Sequence, residues 1–164
     1  MLKAIIMMAV MLSAPLALAQ SGHSPETQGY LSGEGMGLAK AAELNHYPGP
    51  RHVLDSAETL QLSKEQIART TAIYDKMHRE AVSLGKLIIE KEAALNALFA
   101  GRKIDKAQLE SLVFEIAALQ GKLRVVHLAA HLEMRGVLLP EQIVKYDALR
   151  GYESNQRHDS SHHP

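Results

Sequence analysis

The sequence predicts an all-α protein built on one long antiparallel helical hairpin. In two long segments, apolar residues recur at alternating spacings of three and four, which is the period of a helix with one apolar face. No proline interrupts the first of these segments, from residue 64 to residue 100. No segment alternates apolar and polar residues as a half-buried β-strand does.

Residues 1–19 have the pattern of a secretory signal peptide. Lys3 is the only charge, an apolar run follows, and Ala17-Leu18-Ala19 provides a small-x-small cleavage site before Gln20. The run is too short to span a bilayer, and no later segment approaches the ~20 apolar residues that a span requires. We therefore expect an exported, periplasmic protein that is not embedded in the membrane.

The composition after this cleavage excludes several classes of protein. Loss of Lys3 leaves 17 basic and 18 acidic residues, so there is no basic field to attract nucleic acid. Without cysteine, the chain has neither disulfides nor thiolate chemistry. Four of the seven methionines leave with the signal peptide, which argues against a methionine-rich copper carrier.

Residues 20–47 are predicted to form a flexible leader, because most of this segment is polar and rich in glycine and serine. Its Ser-Gly-Glu-Gly-Met-Gly run at 32–37 lacks the spacing of a phosphate-binding loop. Residues 48–152 are predicted to be the helical domain, starting with a short helix from His52 to Leu60. Residues 153–164 form a polar tail that contains three histidines.

The first long helix is predicted from Lys64 to Ala100. Ser63 offers a hydroxyl to the free amides at its start, and Gln66 completes a capping box. Gly101 ends the helix. Its predicted apolar seam consists of Ile67, Thr70, Tyr74, Met77, Ala81, Leu84, Ile88, Lys91, Leu95 and Leu98.

The second long helix is predicted to begin after Asp105, with Gln108 three positions later. One apolar seam, Leu109, Leu112, Ile116, Leu119, Leu123 and Val126, would face the first helix. A second stripe lies nearly opposite and consists of Phe114, Ala118, Gly121, Val125, Leu128 and Leu132. Since a helix that is apolar on two sides needs two partners, we expect a homodimer. Pro140 would open a last helix to about Gly151.

Two short segments resemble each other and a known motif. Leu62-Ser63-Lys64-Glu65-Gln66 and Leu138-Leu139-Pro140-Glu141-Gln142 resemble the L-T-x-x-Q signature of the Spy/CpxP family of periplasmic stress proteins. ZraP-like proteins and, more distantly, CnrX-like heavy-metal sensors are related to that family. The motif residues to which we assign structural roles are Leu62, Ser63, Gln66, Leu138, Pro140 and Gln142. The second copy lacks the hydroxyl, because its second position is Leu139.

The resemblance implies a cradle-shaped helical dimer and a function. Members of the family hold unfolded envelope proteins without ATP, or modulate a membrane stress-sensor kinase, and some bind metal. Our first functional hypothesis is therefore chaperone-like client binding or sensor modulation. The expected client or dimer surface consists of Phe114, Val125, Leu128 and Leu132.

The alternative hypothesis is heavy-metal binding or sensing through histidines. His127 and His131 lie one helical turn apart, and the predicted hairpin register brings His78 level with them, with Asp75 and Met134 nearby. Neutral imidazoles suit Zn, Cu and Ni, as part of a metal-response system. The competing interpretation is that these histidines only hydrogen-bond within the helix interface.

The remaining histidines are weaker candidates for metal ligands. His46 and His52 flank a Pro-Gly-Pro turn, and His158, His162 and His163 lie in the tail. A zinc peptidase would need glutamate at position 128, where this chain has leucine. We therefore expect no enzyme, no catalytic residues and no required cofactor.

Overall fold

The computed structural model describes residues 24–152. Within this range the chain forms six helices: α1 (Pro25–Ser32), α2 (Lys40–Glu43), α3 (Pro50–Asp55), α4 (Lys64–Ala100), α5 (Lys106–Arg135) and α6 (Pro140–Arg150). No strand occurs among the described residues. Helices α4 and α5 pack against each other as the long hairpin, so the predicted fold class is confirmed.

Both long helices begin where the capping residues predicted. The Ser63 hydroxyl accepts a hydrogen bond from the backbone N–H of Gln66 at 3.2 Å, and the Gln66 amide oxygen accepts one from Ser63 N–H at 3.0 Å. Asp105 and Gln108 form the same reciprocal pair at 2.8 and 3.1 Å. Each pair satisfies two backbone donors that a helix start otherwise leaves free.

Helix α6 begins without a hydroxyl cap. The amide oxygen of Gln142 accepts a hydrogen bond from Leu139 N–H at 2.9 Å. This is one of the two hydrogen bonds of a capping box; the other is missing because leucine has no side-chain oxygen to accept it. The Gln142 amide group also donates to the Gln66 amide oxygen at 3.1 Å, and the Gln66 amide group donates back at 2.7 Å. The two similar segments are therefore joined directly through their glutamines.

Two buried apolar clusters lie at the end of the hairpin where α4 begins and α5 ends. The first joins α3, α5 and α6 and contains Val53, Leu60, Met134, Val137, Leu138, Ile143 and Tyr146. The second joins α1, α4 and α5 and contains Tyr30, Met77, Ala81, Ile88, Leu123 and Ala130. The short helices thus supply the surfaces that two long helices cannot provide for each other.

For residues 24–47, the structure corrects the flexible leader that was predicted for residues 20–47. Residues 25–32 form α1, capped by the Ser24 hydroxyl, and α1 packs on α4. The approach is close because Gly85 has no side chain: a Cβ there would lie 2.3 Å from the Tyr30 carbonyl oxygen. The segment has the composition of a flexible chain, but the close contact of the α1 backbone with α4 at Gly85 and the burial of Tyr30 hold it in place.

Two further differences concern the short helices. Helix α3 starts at Pro50 and ends at Asp55, whereas the predicted helix ran from His52 to Leu60. Proline is favourable at the first position of a helix, and the segment after Ser56 continues in turns rather than as a helix. Helix α2 lies inside the predicted leader, within the short apolar run from Leu38 to Leu44, which itself indicates a helix.

The second stripe of α5 is exposed along most of its length. Phe114, Val125 and Leu132 are exposed by 71, 64 and 63 % respectively, and Leu128 is half-buried. The expected homodimer would cover this stripe, and it stays a prediction. From residue 24 to residue 152, none of the helices has an apolar stretch long enough to cross a bilayer.

Candidate metal-binding pocket

A pocket of about 530 Å³ lies between the long helices and the segments that precede them. Four histidines line it: His78 from α4, His127 and His131 from α5, and His52 from α3. The HLAAH spacing places two imidazoles on one face of α5, and the hairpin register brings His78 opposite them. The structure therefore gathers the three principal candidate histidines in one pocket, together with His52, one of the weaker candidates.

Asp75 and Met134 do not join this group. Asp75 is exposed on α4 and is not part of the pocket wall. Met134 is completely buried in the cluster formed by α3, α5 and α6. Neither of these two side chains therefore lines the pocket with the histidines, since Met134 packs in the buried cluster and Asp75 is exposed.

His131 is held in a defined orientation. Its Nδ1 lies 2.8 Å from the Tyr47 carbonyl oxygen, which can only accept, so Nδ1 carries the proton. In the neutral ring, Nε2 then keeps its lone pair for another partner. The Tyr146 hydroxyl fixes the same loop by accepting a hydrogen bond from Gly49 N–H at 3.2 Å, and burial raises the pKa of Tyr146 to about 12.

His127 is buried and incompletely satisfied. Its side chain is 4 % exposed, and its Nε2 is buried without a hydrogen-bond partner. Burial lowers the pKa of His127, and the neighbouring His131 lowers it further. An unpaired nitrogen in this position costs roughly 1–3 kcal/mol, which a bound proton donor or cation would recover. The ring is therefore kept neutral, the form in which imidazole binds metals.

His52 and His78 complete the wall of the pocket. Burial lowers the pKa of His52, and the positive charge of Arg150 lowers it further. The Glu43 carboxylate, 3.9 Å from His52 Nε2, has the opposite effect and raises this pKa. His78 stacks on Tyr74, with ring centroids 5.5 Å apart. Both rings are only partly buried, so an entering ligand can reach them.

The glycine-rich run 32–37 lies directly against these rings. Gly33 has a φ of +65°, and a Cβ there would lie 2.9 Å from His78 Nδ1. A Cβ on Gly35 would lie 3.8 Å from His127 Nδ1. The sequence analysis discounted a phosphate loop here and missed this role. The signal was the glycine spacing itself, which permits a backbone to approach other groups closely.

Among residues 24–152, no three histidine, aspartate or glutamate side chains are arranged so that they could hold one metal ion together. The pocket instead offers one oriented imidazole, one unsatisfied imidazole and two more accessible ones. The donor chemistry fits a divalent transition-metal ion, and the geometry in this structure is not that of a closed site.

Comparison with protein-family models found one match, to a family described as heavy-metal resistance, over residues 7–145. This chain belongs to the heavy-metal resistance family. The family lies in the Spy/CpxP-like helical superfamily, to which the paired glutamine motifs had pointed. Comparisons with curated proteins and with solved structures found no match.

In this member of the heavy-metal resistance family, the other predicted histidines lie apart from the pocket or outside the described residues. His46 Nδ1 contacts the buried Asp147 carboxylate at 2.6 Å and joins the loop before α3 to α6. Its backbone is left-handed, with φ of +65°. His46 is therefore part of the packing of α6 rather than of the pocket. His158, His162 and His163 lie outside the described residues.

Proposed function

We propose that this chain is a periplasmic heavy-metal-binding protein that takes its ion in the pocket lined by His52, His78, His127 and His131. The observation that carries the proposal is the presence of four imidazoles on one pocket wall in a member of the heavy-metal resistance family. Members of that family are typically periplasmic, in agreement with the signal peptide predicted for residues 1–19.

The chemistry of binding follows from the state of the rings. Metal ions bind the neutral imidazole, and a lowered pKa removes competition from protons. His131 is the best-oriented ligand, because a hydrogen bond from its other nitrogen to a backbone carbonyl fixes ring and tautomer, as outer-shell partners do in metal sites. His127 would relieve its unsatisfied Nε2 by binding. The ion would be Zn²⁺, Cu²⁺ or Ni²⁺ on nitrogen donors alone.

The family assignment changes the order of the two functional hypotheses. Client binding or sensor modulation came first in the sequence analysis, and heavy-metal binding was the alternative. The heavy-metal resistance family supports the alternative better. For client binding, the supporting observation is the exposure of Phe114, Val125 and Leu132 on α5. An aggregation assay with a reduced client and no nucleotide tests that second candidate, and no suppression by the unmodified protein would reject it.

Calorimetry with Zn²⁺, Cu²⁺ and Ni²⁺ tests metal binding. We expect His131→Asn and His127→Asn to weaken binding by at least about tenfold, because each removes a donor. A chain ending at Tyr152 lacks the tail histidines and should keep its affinity. His46→Asn is the control for a histidine outside the pocket, with its thermal stability measured alongside.

Each result assigns the site. If truncation after Tyr152 abolishes binding while the two pocket variants bind normally, the tail is the metal site and the pocket proposal is wrong. If the pocket variants lose binding and the truncated chain does not, the helices hold the ion.

A further inference from the structure

The pocket has sulfur donors as well as nitrogen donors. Three methionines lie among residues 24–152, and two of them, Met36 and Met77, line the pocket. The third, Met134, is completely buried elsewhere. Since the chain has no cysteine, thioethers are its soft metal donors.

Met36 is held in an unusual position. It lies between Gly35 and Gly37 with a φ of +43°, a left-handed conformation that is costly for a residue with a side chain. Its sulfur rests against α1 at Gly29, where a Cβ would lie 2.3 Å from it. The residue is nevertheless 42 % exposed. Met36 thus lines the pocket from a glycine-rich loop, with its side chain against α1 and the residue partly exposed, rather than lying in a core cluster.

Two carboxylates, those of Glu34 and Glu43, also line the pocket. Glu43 accepts a hydrogen bond from the Tyr152 hydroxyl at 3.0 Å and lies beside His52. Among the described residues, no three histidine, aspartate or glutamate side chains are arranged to hold one metal ion. A cation that accepts both sulfur and imidazole nitrogen can use the methionine and histidine side chains of this wall together.

We propose that the pocket selects a soft monovalent cation, Cu(I) or Ag(I), and that the Met36 thioether is a ligand beside the imidazoles of His127 and His131. This inference rests on the proposed function and specifies its ion. Met77, whose side chain is buried in the wall, provides the second sulfur. The loop from Gly33 to Gly37 is then the element that carries the soft ligand to the histidines.

The test measures binding of two ions to the full chain. Ag(I) is the soft ion and needs no reductant, and Zn²⁺ is the comparison ion, which thioethers do not favour. Met36→Leu keeps a side chain of similar volume and removes the sulfur. We expect it to weaken Ag(I) binding by at least about tenfold and to leave Zn²⁺ binding unchanged. Met134→Leu is the matched control outside the pocket and should change neither. Met77→Leu should weaken Ag(I) binding as well.

A spectroscopic readout distinguishes a ligand from a packing residue. On addition of Ag(I), the ε-methyl NMR signal of Met36 should shift and that of Met134 should not. If Met36→Leu binds Ag(I) as the unmodified chain does, or if it loses Ag(I) and Zn²⁺ equally, Met36 is not a soft ligand and the inference is wrong. Zn²⁺ binding with no Ag(I) preference would overturn it while leaving the proposed function intact. Binding of neither ion would overturn both.

Discussion

The two ends of the helical hairpin share a sequence pattern but differ in how much of it they bury. At the base, formed by residues 64–88 and 116–135, the seam is buried and the histidine pocket lies beside it. At the tip, no residue from 89 to 115 is buried, although Leu95, Leu98, Leu109 and Leu112 continue the same seam. The difference shows that two helices cannot enclose a core without the short helices as a third layer.

Polar contacts follow the same division. At the base, the glutamines of two capping motifs bond each other and also reach the Val137 and Leu60 carbonyls, at 3.0 and 3.2 Å. At the tip, Gln108 makes its local capping bond only, and the ion pair of Lys91 and Glu115 is solvent-exposed. Exposed pairs contribute little to stability. The base is therefore the part of the hairpin with long-range polar contacts, and the histidine pocket lies there.

The largest expected effect comes from removing a glutamine at the base. Gln142→Ala leaves the Leu60 carbonyl and the Leu139 N–H without their partners in a buried region, which should lower the free energy of unfolding by about 3 kcal/mol. Gln108→Ala removes the equivalent capping residue at the tip and should cost about 1 kcal/mol or less. Urea denaturation followed by circular dichroism measures both. Equal losses would contradict the distinction between base and tip.

Two glycines in the middle of long helices give the next comparison. Gly85→Ala places a Cβ 2.3 Å from the Tyr30 carbonyl, so α1 must move, and we expect a net loss of about 1–2 kcal/mol despite the better helix propensity of alanine. Nothing lies within 4 Å of a Cβ at Gly121. Gly121→Ala should therefore stabilise the protein by up to about 1 kcal/mol.

Thermal denaturation of the two glycine variants provides the measurement. Amide exchange in α1 locates the damage, because displacement of α1 exposes its backbone to exchange. A Gly85→Ala protein that is as stable as Gly121→Ala, with α1 still protected, would show that α1 does not depend on this contact.

The sequence predicted the elements whose signals are local. Ser63 and Asp105 marked the helix starts because capping chemistry involves residues three positions apart. The position of the turn between α4 and α5 fixes which residues face each other across the hairpin, and it correctly predicted that His78 lies opposite His127. Non-local features were missed. Helix α1 has no apolar face of its own, and its order depends on the space at Gly85, which only the folded chain shows.

The pocket was only partly predictable for the same reason. His127 and His131 follow from helical spacing, whereas His52 reaches the pocket from the short helix α3 and Met36 from a turn in which its own backbone is left-handed. The glycines at 33, 35 and 37 indicated a backbone with unusual conformations, but they did not indicate which residues pack against it. The glycine pattern predicts that another group approaches the backbone closely, and only the folded structure shows that this group is an imidazole.

The smallest expected effect is a pH dependence confined to the base. Burial lowers the pKa of His127 and of His52 below the ordinary value of 6.5, so at mildly acidic pH the unfolded chain binds more protons than the folded chain. Stability is then complete above pH 6.5 and declines as the pH falls from that value. The metal-free protein should lose stability between pH 7 and pH 5, and His127→Asn should lose less over this range.

Amide exchange at the two pH values, corrected for intrinsic rates, assigns this loss to a region. No histidine lies between residues 79 and 126, so protection at the tip should change only as far as global unfolding contributes. Protection at the base should fall, because protonating His127 places a charge beside His131 in a buried environment. Stability that rises toward pH 5, or a His127→Asn protein with the full pH dependence, would show that the buried imidazole is not kept neutral by its position. Because metal ions require that neutral form, the same measurement tests the electrostatic basis of the pocket without any metal present.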